Sequence, residues 1–202
     1  MVQERTNRDA TSPRGRPVRS LADRRALEFR IAREALRLFA ENGPAATSVA
    51  QIAAAAGISP RTFWRHFSSK ESVIRPFLDH GLRDAIGRMS DLTPGTTLSD
   101  GWVGESTLDD EAVSAIVSLV WMVQDEPDLR AVWLQAHHAA TAAFVSLLAR
   151  HLSVSPESLE AQVASAELNA ALATALEHFV LRNAEGLSLN ETIRRAVRFA
   201  ID

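Results

Sequence analysis

The 202-residue sequence predicts an all-α protein of about nine helices. Apolar residues recur at steps of three and four through most of the chain, helix start and stop residues punctuate those stretches, and no run alternates apolar with polar residues as a half-buried strand would. Charge divides the chain in two. Residues 1–90 carry sixteen basic and nine acidic side chains, a net +7, whereas residues 91–202 carry six and sixteen, a net −10. The first part is suited to an anionic partner and the second is not.

Several classes fall away on composition. No apolar run approaches the roughly 20 residues that span a bilayer, and the N-terminus carries charges where a signal peptide has an apolar core. A cytoplasmic protein with no membrane partner is expected. The absence of cysteine excludes disulfides, thiolate zinc sites and a cysteine nucleophile.

Residues 1–19 have too few apolar side chains to bury a core and read as a disordered basic arm. Arg14 and Arg16 of its RGRP run, with Arg19, suit a narrow, electronegative minor groove; a solubilising tail is the other reading. From Leu21 a helical stripe of Leu27, Ile31, Ala35, Leu38 and Phe39 runs to the breaker Gly43-Pro44. Ser48 and Gln51 then form a capping box that opens a short helix through Ala56, and Gly57 supplies a turn. Ser59-Pro60 starts a second short helix, PRTFWRHF. Ser68 and Glu71 suggest a further capping box and a helix to Met89, kinked near Ser72–Pro76, where Pro76 would serve as a hinge. Residues 91–108, rich in Gly, Ser, Thr and Asp, read as a loop. Helical pattern resumes over 109–125, 128–152, 157–184 and 188–202, with breaks at Pro127, Ser155-Pro156 and Gly186.

Thr47–Lys70 has helix-turn-helix spacing, most of it inside a domain expected at 20–68. Around the 60–67 helix, residues set about 100° apart put Phe63 and Phe67 on one face and Arg61 and Arg65 nearly opposite. The forked guanidiniums suit guanine O6/N7 or phosphate, and Thr62 suits a thymine methyl or a phosphate. Trp64 and His66 fall on the flanks, where they suit packing along the sugar-phosphate backbone. Thr47, Ser48 and Lys70, at helix starts, suit phosphate contacts.

The run TSVAQIAAAAGISPRTFWRHFSSKESV resembles the N-terminal DNA-binding domain of TetR-type transcriptional regulators, a likeness covering about residues 24–75. The resemblance implies an all-helical homodimer that binds a palindromic double-stranded DNA operator through Thr47, Arg61, Thr62, Trp64, His66 and Lys70. It implies further that residues 69–202 form a ligand-sensing and dimerisation domain. His66 and Trp64 stand where the family often carries Tyr or Phe, and Lys70 matches; it is the chain's single lysine.

The C-terminal helices declare less. Polar or adaptable side chains in apolar helical surroundings are the candidates for binding a small-molecule effector: Trp121, Met122, Gln135, His137, His138 and His178. Ordinary packing or surface placement is the alternative for each. Adjacent His137 and His138 point about 100° apart on a helix, which argues against a shared metal. No catalytic motif or cofactor signature is present, so no enzyme activity, cofactor or metal is expected. Small residues at Ala164, Ala166, Ala170, Ala171 and Ala173, and the stripe Ile193, Ala196, Val197, Ala200 and Ile201, suggest a partner surface on helices 155–184 and 188–202. The resemblance makes that partner a second subunit.

The reading is a ligand-responsive, sequence-specific DNA-binding regulator, a repressor released from its operator by a hydrophobic or amphipathic effector. A nonspecific architectural DNA-binding protein is the first alternative, and a helical carrier or enzyme the second.

Overall fold

The computed structural model describes residues 20–92, 96–103, 110–182 and 186–202. Their regular structure is helical, with no strand among the described residues. Eight α-helices occur among the described residues, against the nine or so expected: α1 Leu21–Asn42, α2 Val49–Ala55, α3 Pro60–His66, α4 Arg75–Ser90, α5 Asp110–Asp125, α6 Pro127–Leu152, α7 Leu159–Arg182 and α8 Leu189–Ala200. Two 3-10 turns, Glu71–Ile74 and Leu98–Trp102, make up the rest. None of the described helices is long and apolar enough to cross a membrane.

The starts follow from side-chain chemistry. Ser20 and Asp23 cap α1 reciprocally, and Ser48 and Gln51 do the same for α2. Ser59 accepts from the Thr62 N–H, with Pro60 in the first turn of α3. Gly43 ends α1 at φ +80°.

Three expectations are corrected. The reciprocal pair before α4 is Ser69 with Ser72, each hydroxyl accepting from the other's backbone N–H at 3.0–3.1 Å; the sequence offered Ser68 and Glu71, one residue early. The chain then runs as a 3-10 turn before α4 begins at Arg75, so Pro76 sits in the first helical turn, where its missing N–H breaks no bond. It does not kink an established helix. Residues 98–102 of the expected loop form a 3-10 turn whose Leu98 and Trp102 are buried, because the Asp202 carboxylate accepts from the Leu98 and Ser99 N–H groups and holds the turn against the bundle.

Two apolar clusters form the interior. The first joins Ile31 and Phe39 of α1, Ile52 of α2 and Phe63 of α3 to Leu119 of α5 and Trp133 of α6. It therefore runs without a break from the helix-turn-helix into the C-terminal helices. The second gathers Met89, Trp102, Phe144, Leu148, Leu168 and Val197, with Ile193 and Ile201 packed against it. The α8 stripe that the sequence offered to a partner is thus partly covered within one subunit, chiefly by α7 and the Leu98–Trp102 turn, with Val197 buried and the rest half-buried. Of the α7 alanines, Ala164 and Ala171 are buried while Ala166 and Ala170 are exposed.

Candidate nucleic-acid interface and effector cavity

The turn between α2 and α3 closes as a Schellman motif. The Ile58 N–H donates to the Ala53 carbonyl at 2.9 Å and the Gly57 N–H to the Ala54 carbonyl at 3.1 Å, with Gly57 at φ +65°. A left-handed residue is required there, and glycine adopts it without a Cβ penalty. The turn aims α3 outward, while Phe63 and Phe67 anchor it from below with ring centroids 5.1 Å apart.

The outward side of α3 is cationic. Arg61 and Arg65 are exposed and make no ion pair among the described residues. On α1, by contrast, Arg24 pairs with Glu28 at 2.8 Å and Arg37 with Glu34 and Glu41 at 3.1 and 2.7 Å. Trp64 is 52% exposed and stands edge-on to Phe63. Thr62 is half-buried, its hydroxyl 3.0 Å from that of Ser59, and Ser48 is exposed at the start of α2.

Three of the sequence candidates are held inside the domain. Thr47 is 2% exposed, with its hydroxyl 2.9 Å from the Gly43 carbonyl and 3.2 Å from that of Leu38. His66 places Nδ1 2.9 Å from Glu28 Oε1, tying α3 to α1; a carboxylate only accepts, so Nδ1 donates. Burial opposes the charged form of Glu28, but hydrogen bonds and charges from Arg24 and His66 outweigh it and hold the carboxyl below the usual range. Lys70 Nζ donates to the Pro44 carbonyl at 2.6 Å and lies 3.8 Å from Glu71. Arg14, Arg16 and Arg19 lie outside the described residues.

The candidate effector residues separate sharply. A cavity of about 140 Å³ opens between the two apolar clusters, walled by α4, α5, α6, α7 and α8. Of the six candidates only His137 lines it. Gln135, His138 and His178 are exposed, Trp121 is 54% exposed, and Met122 packs against the first cluster. All five sit at helical positions turned away from the cavity. Asn169, which lines the cavity and lies 3.3 Å from His137 Nδ1 through its Oδ1, was missed; an amide between Leu168 and Leu172 of an apolar helix was the signal. No group of three or more His, Cys, Asp or Glu suited to a metal occurs among the described residues. A wider, open groove of about 1010 Å³ runs between α1 and the start of α4, where Arg24, Arg33, Arg75 and Arg83 mix with Glu28 and Asp79.

Residues 31–75 match the family model of bacterial regulatory proteins, tetR family. Over 63 residues the chain is 46% identical to the HTH-type transcriptional regulator TcmR of Streptomyces glaucescens, covering 31% of this chain and 27% of that protein. Over 75 residues it is 39% identical to the HTH-type transcriptional repressor Rv3405c of Mycobacterium tuberculosis, covering 37% of this chain and 38% of that one. Each match thus spans well under half of the relative's own length. The solved structure of Salmonella enterica GusR superposes with a TM-score of 0.53 at 25% identity, covering 87% of this chain and 95% of that one.

Proposed function

We propose that this chain, whose residues 31–75 match the family model of bacterial regulatory proteins, tetR family, is a homodimeric, ligand-responsive repressor that binds a palindromic operator and leaves it when a small molecule enters the α4–α8 cavity. One observation carries the DNA-binding part: α3 is anchored by phenylalanines and presents outward two arginines with no ion pair among the described residues, while Arg24 and Arg37 of neighbouring α1 are tied to glutamates.

In this reading Arg61 and Arg65 contact base edges, and Thr62 and Trp64 flank them on the backbone. Ser48 and the arm arginines Arg14, Arg16 and Arg19 add phosphate and minor-groove contacts. Lys70 keeps two ammonium protons for a phosphate after donating to Pro44. Thr47 and His66 position the helices instead of touching DNA. The dimer forms through the exposed faces of α7 and α8, where Val163, Ala166, Ala170 and Phe199 are uncovered in a single subunit. Cytoplasmic action follows from DNA as partner.

The test is selection of a preferred duplex from random sequence, followed by titration of variants. Wild type should select a palindrome, and Arg61→Ala should cost about 1–3 kcal/mol on it with relaxed preference at one position of each half-site. Equal affinity for the palindrome and a scrambled duplex would leave only the architectural reading.

A further inference from the structure

The cavity volume of about 140 Å³ is close to the roughly 150 Å³ of an apolar protein cavity that takes up a single benzene ring. Its wall is mainly hydrocarbon, from residues such as Leu82, Leu119, Trp133, Phe144 and Leu172. Neither Lys nor Arg lines it. Its acids, Asp79 and Asp84, have arginine neighbours of their own: Arg88 at 2.7 Å from Asp84 and Arg75 at 3.9 Å from Asp79.

Within that wall His137 and Asn169 form one polar unit. Asn169 Nδ2 donates to the His137 carbonyl at 2.9 Å and to Thr141 Oγ1 at 3.2 Å, so both amide protons have acceptors. This fixes the amide with Oδ1 toward His137 Nδ1, 3.3 Å away. An amide oxygen only accepts, so Nδ1 carries the ring proton and Nε2 presents a lone pair. That Nε2 is buried and has no partner among the described residues. Burial lowers the pKa of the ring, against smaller opposite pulls from Asn169 and Glu177, so the imidazole is neutral near pH 7.

Resting on the reading of this cavity as the effector site, we infer that its ligand is a neutral molecule about one ring in size that carries a hydrogen-bond donor, in class a phenol or a cyclic alcohol, whose hydroxyl donates to His137 Nε2. A carboxylate would set acceptor against lone pair with no cation to meet it. A hydrocarbon would leave Nε2 unmatched. The Trp133 ring, 4.7 Å from that of His137, adds an aromatic surface beside the acceptor.

Calorimetric titration of the full-length protein with phenol, toluene and benzoate tests this. Phenol should bind about tenfold more tightly than toluene, with benzoate weaker than both. His137→Phe should bring phenol down to toluene's affinity. Equal binding of phenol and toluene, a preference for benzoate, or no binding of any of the three overturns the inference, and the wild-type comparison decides this even if the variant does not fold. Operator release is scored separately with the same probes. Phenol that binds with the expected preference yet leaves the operator complex intact refutes the effector role and upholds the ligand chemistry.

Discussion

At the residue scale, local signals survived and distant partners did not. The caps at Ser48 and Ser59 were legible because each is closed by a residue three positions on. Thr47, His66 and Lys70 have the residue types of DNA contacts, and each also has a partner inside the domain, up to 38 positions away: Glu28 for His66, Pro44 for Lys70. No spacing rule reveals such a pairing. The Glu28 pairing has a measurable sign. Its carboxyl is held below its unfolded value, so its contribution is complete above the ordinary glutamate range and is lost as pH falls through that range to the folded value. Urea midpoints of the full chain should decline over that acidic interval, and Glu28→Gln should flatten the decline; an unaltered slope would show that the pairing with Arg24 and His66 adds nothing to stability.

At the element scale, the helices were legible where a breaker and a cap stood side by side, and misread where the backbone changed helix type without a residue to announce it. The 3-10 turn Glu71–Ile74 contains neither Gly nor Pro, so its apolar spacing merged with that of α4. Trp102 lies in the stretch that reads as a loop, and the buried cluster it joins, with Met89, Phe144 and Val197, is built from three other helices, which local sequence does not announce. Two turn residues give opposite predictions. A Cβ at Gly57 meets nothing within 4 Å, so Gly57→Ala should cost only the left-handed backbone penalty, about 1–2 kcal/mol in urea unfolding. Ser153 closes α6 by a second Schellman motif at φ +57°, with the Val154 N–H donating to the Ala149 carbonyl. Ser153→Gly should therefore stabilise the chain by up to about 1 kcal/mol. A loss of stability on that change would mean the serine side chain has a role of its own.

At the scale of the whole molecule, the boundary suggested near residue 68 is a change of task without a break in packing, since one apolar cluster joins α1, α2 and α3 to α5 and α6. Displacement of α4, α5 or α6 by a ligand would be felt by α1 through close-packed side chains, with no hinge at Pro76 needed. The charge division visible in the sequence survives at this scale in sharper form, because glutamates offset part of the α1 charge while α3 keeps its own. The proposed assembly gives a further prediction: Ala166→Glu with Ala170→Glu should place like charges across the two-fold contact. Sedimentation should then report the 22.0 kDa subunit, with operator affinity falling alongside. A dimer that persists would move the interface elsewhere. One last consequence follows from the Lys70–Pro44 contact. The chain has a single side-chain amine, and its position bridges the junction before α4 to the turn after α1. Acylating reagents therefore have one internal target, and the rate of a single mass increment reads how often the DNA-binding domain loosens at that seam; bound operator should slow that clock.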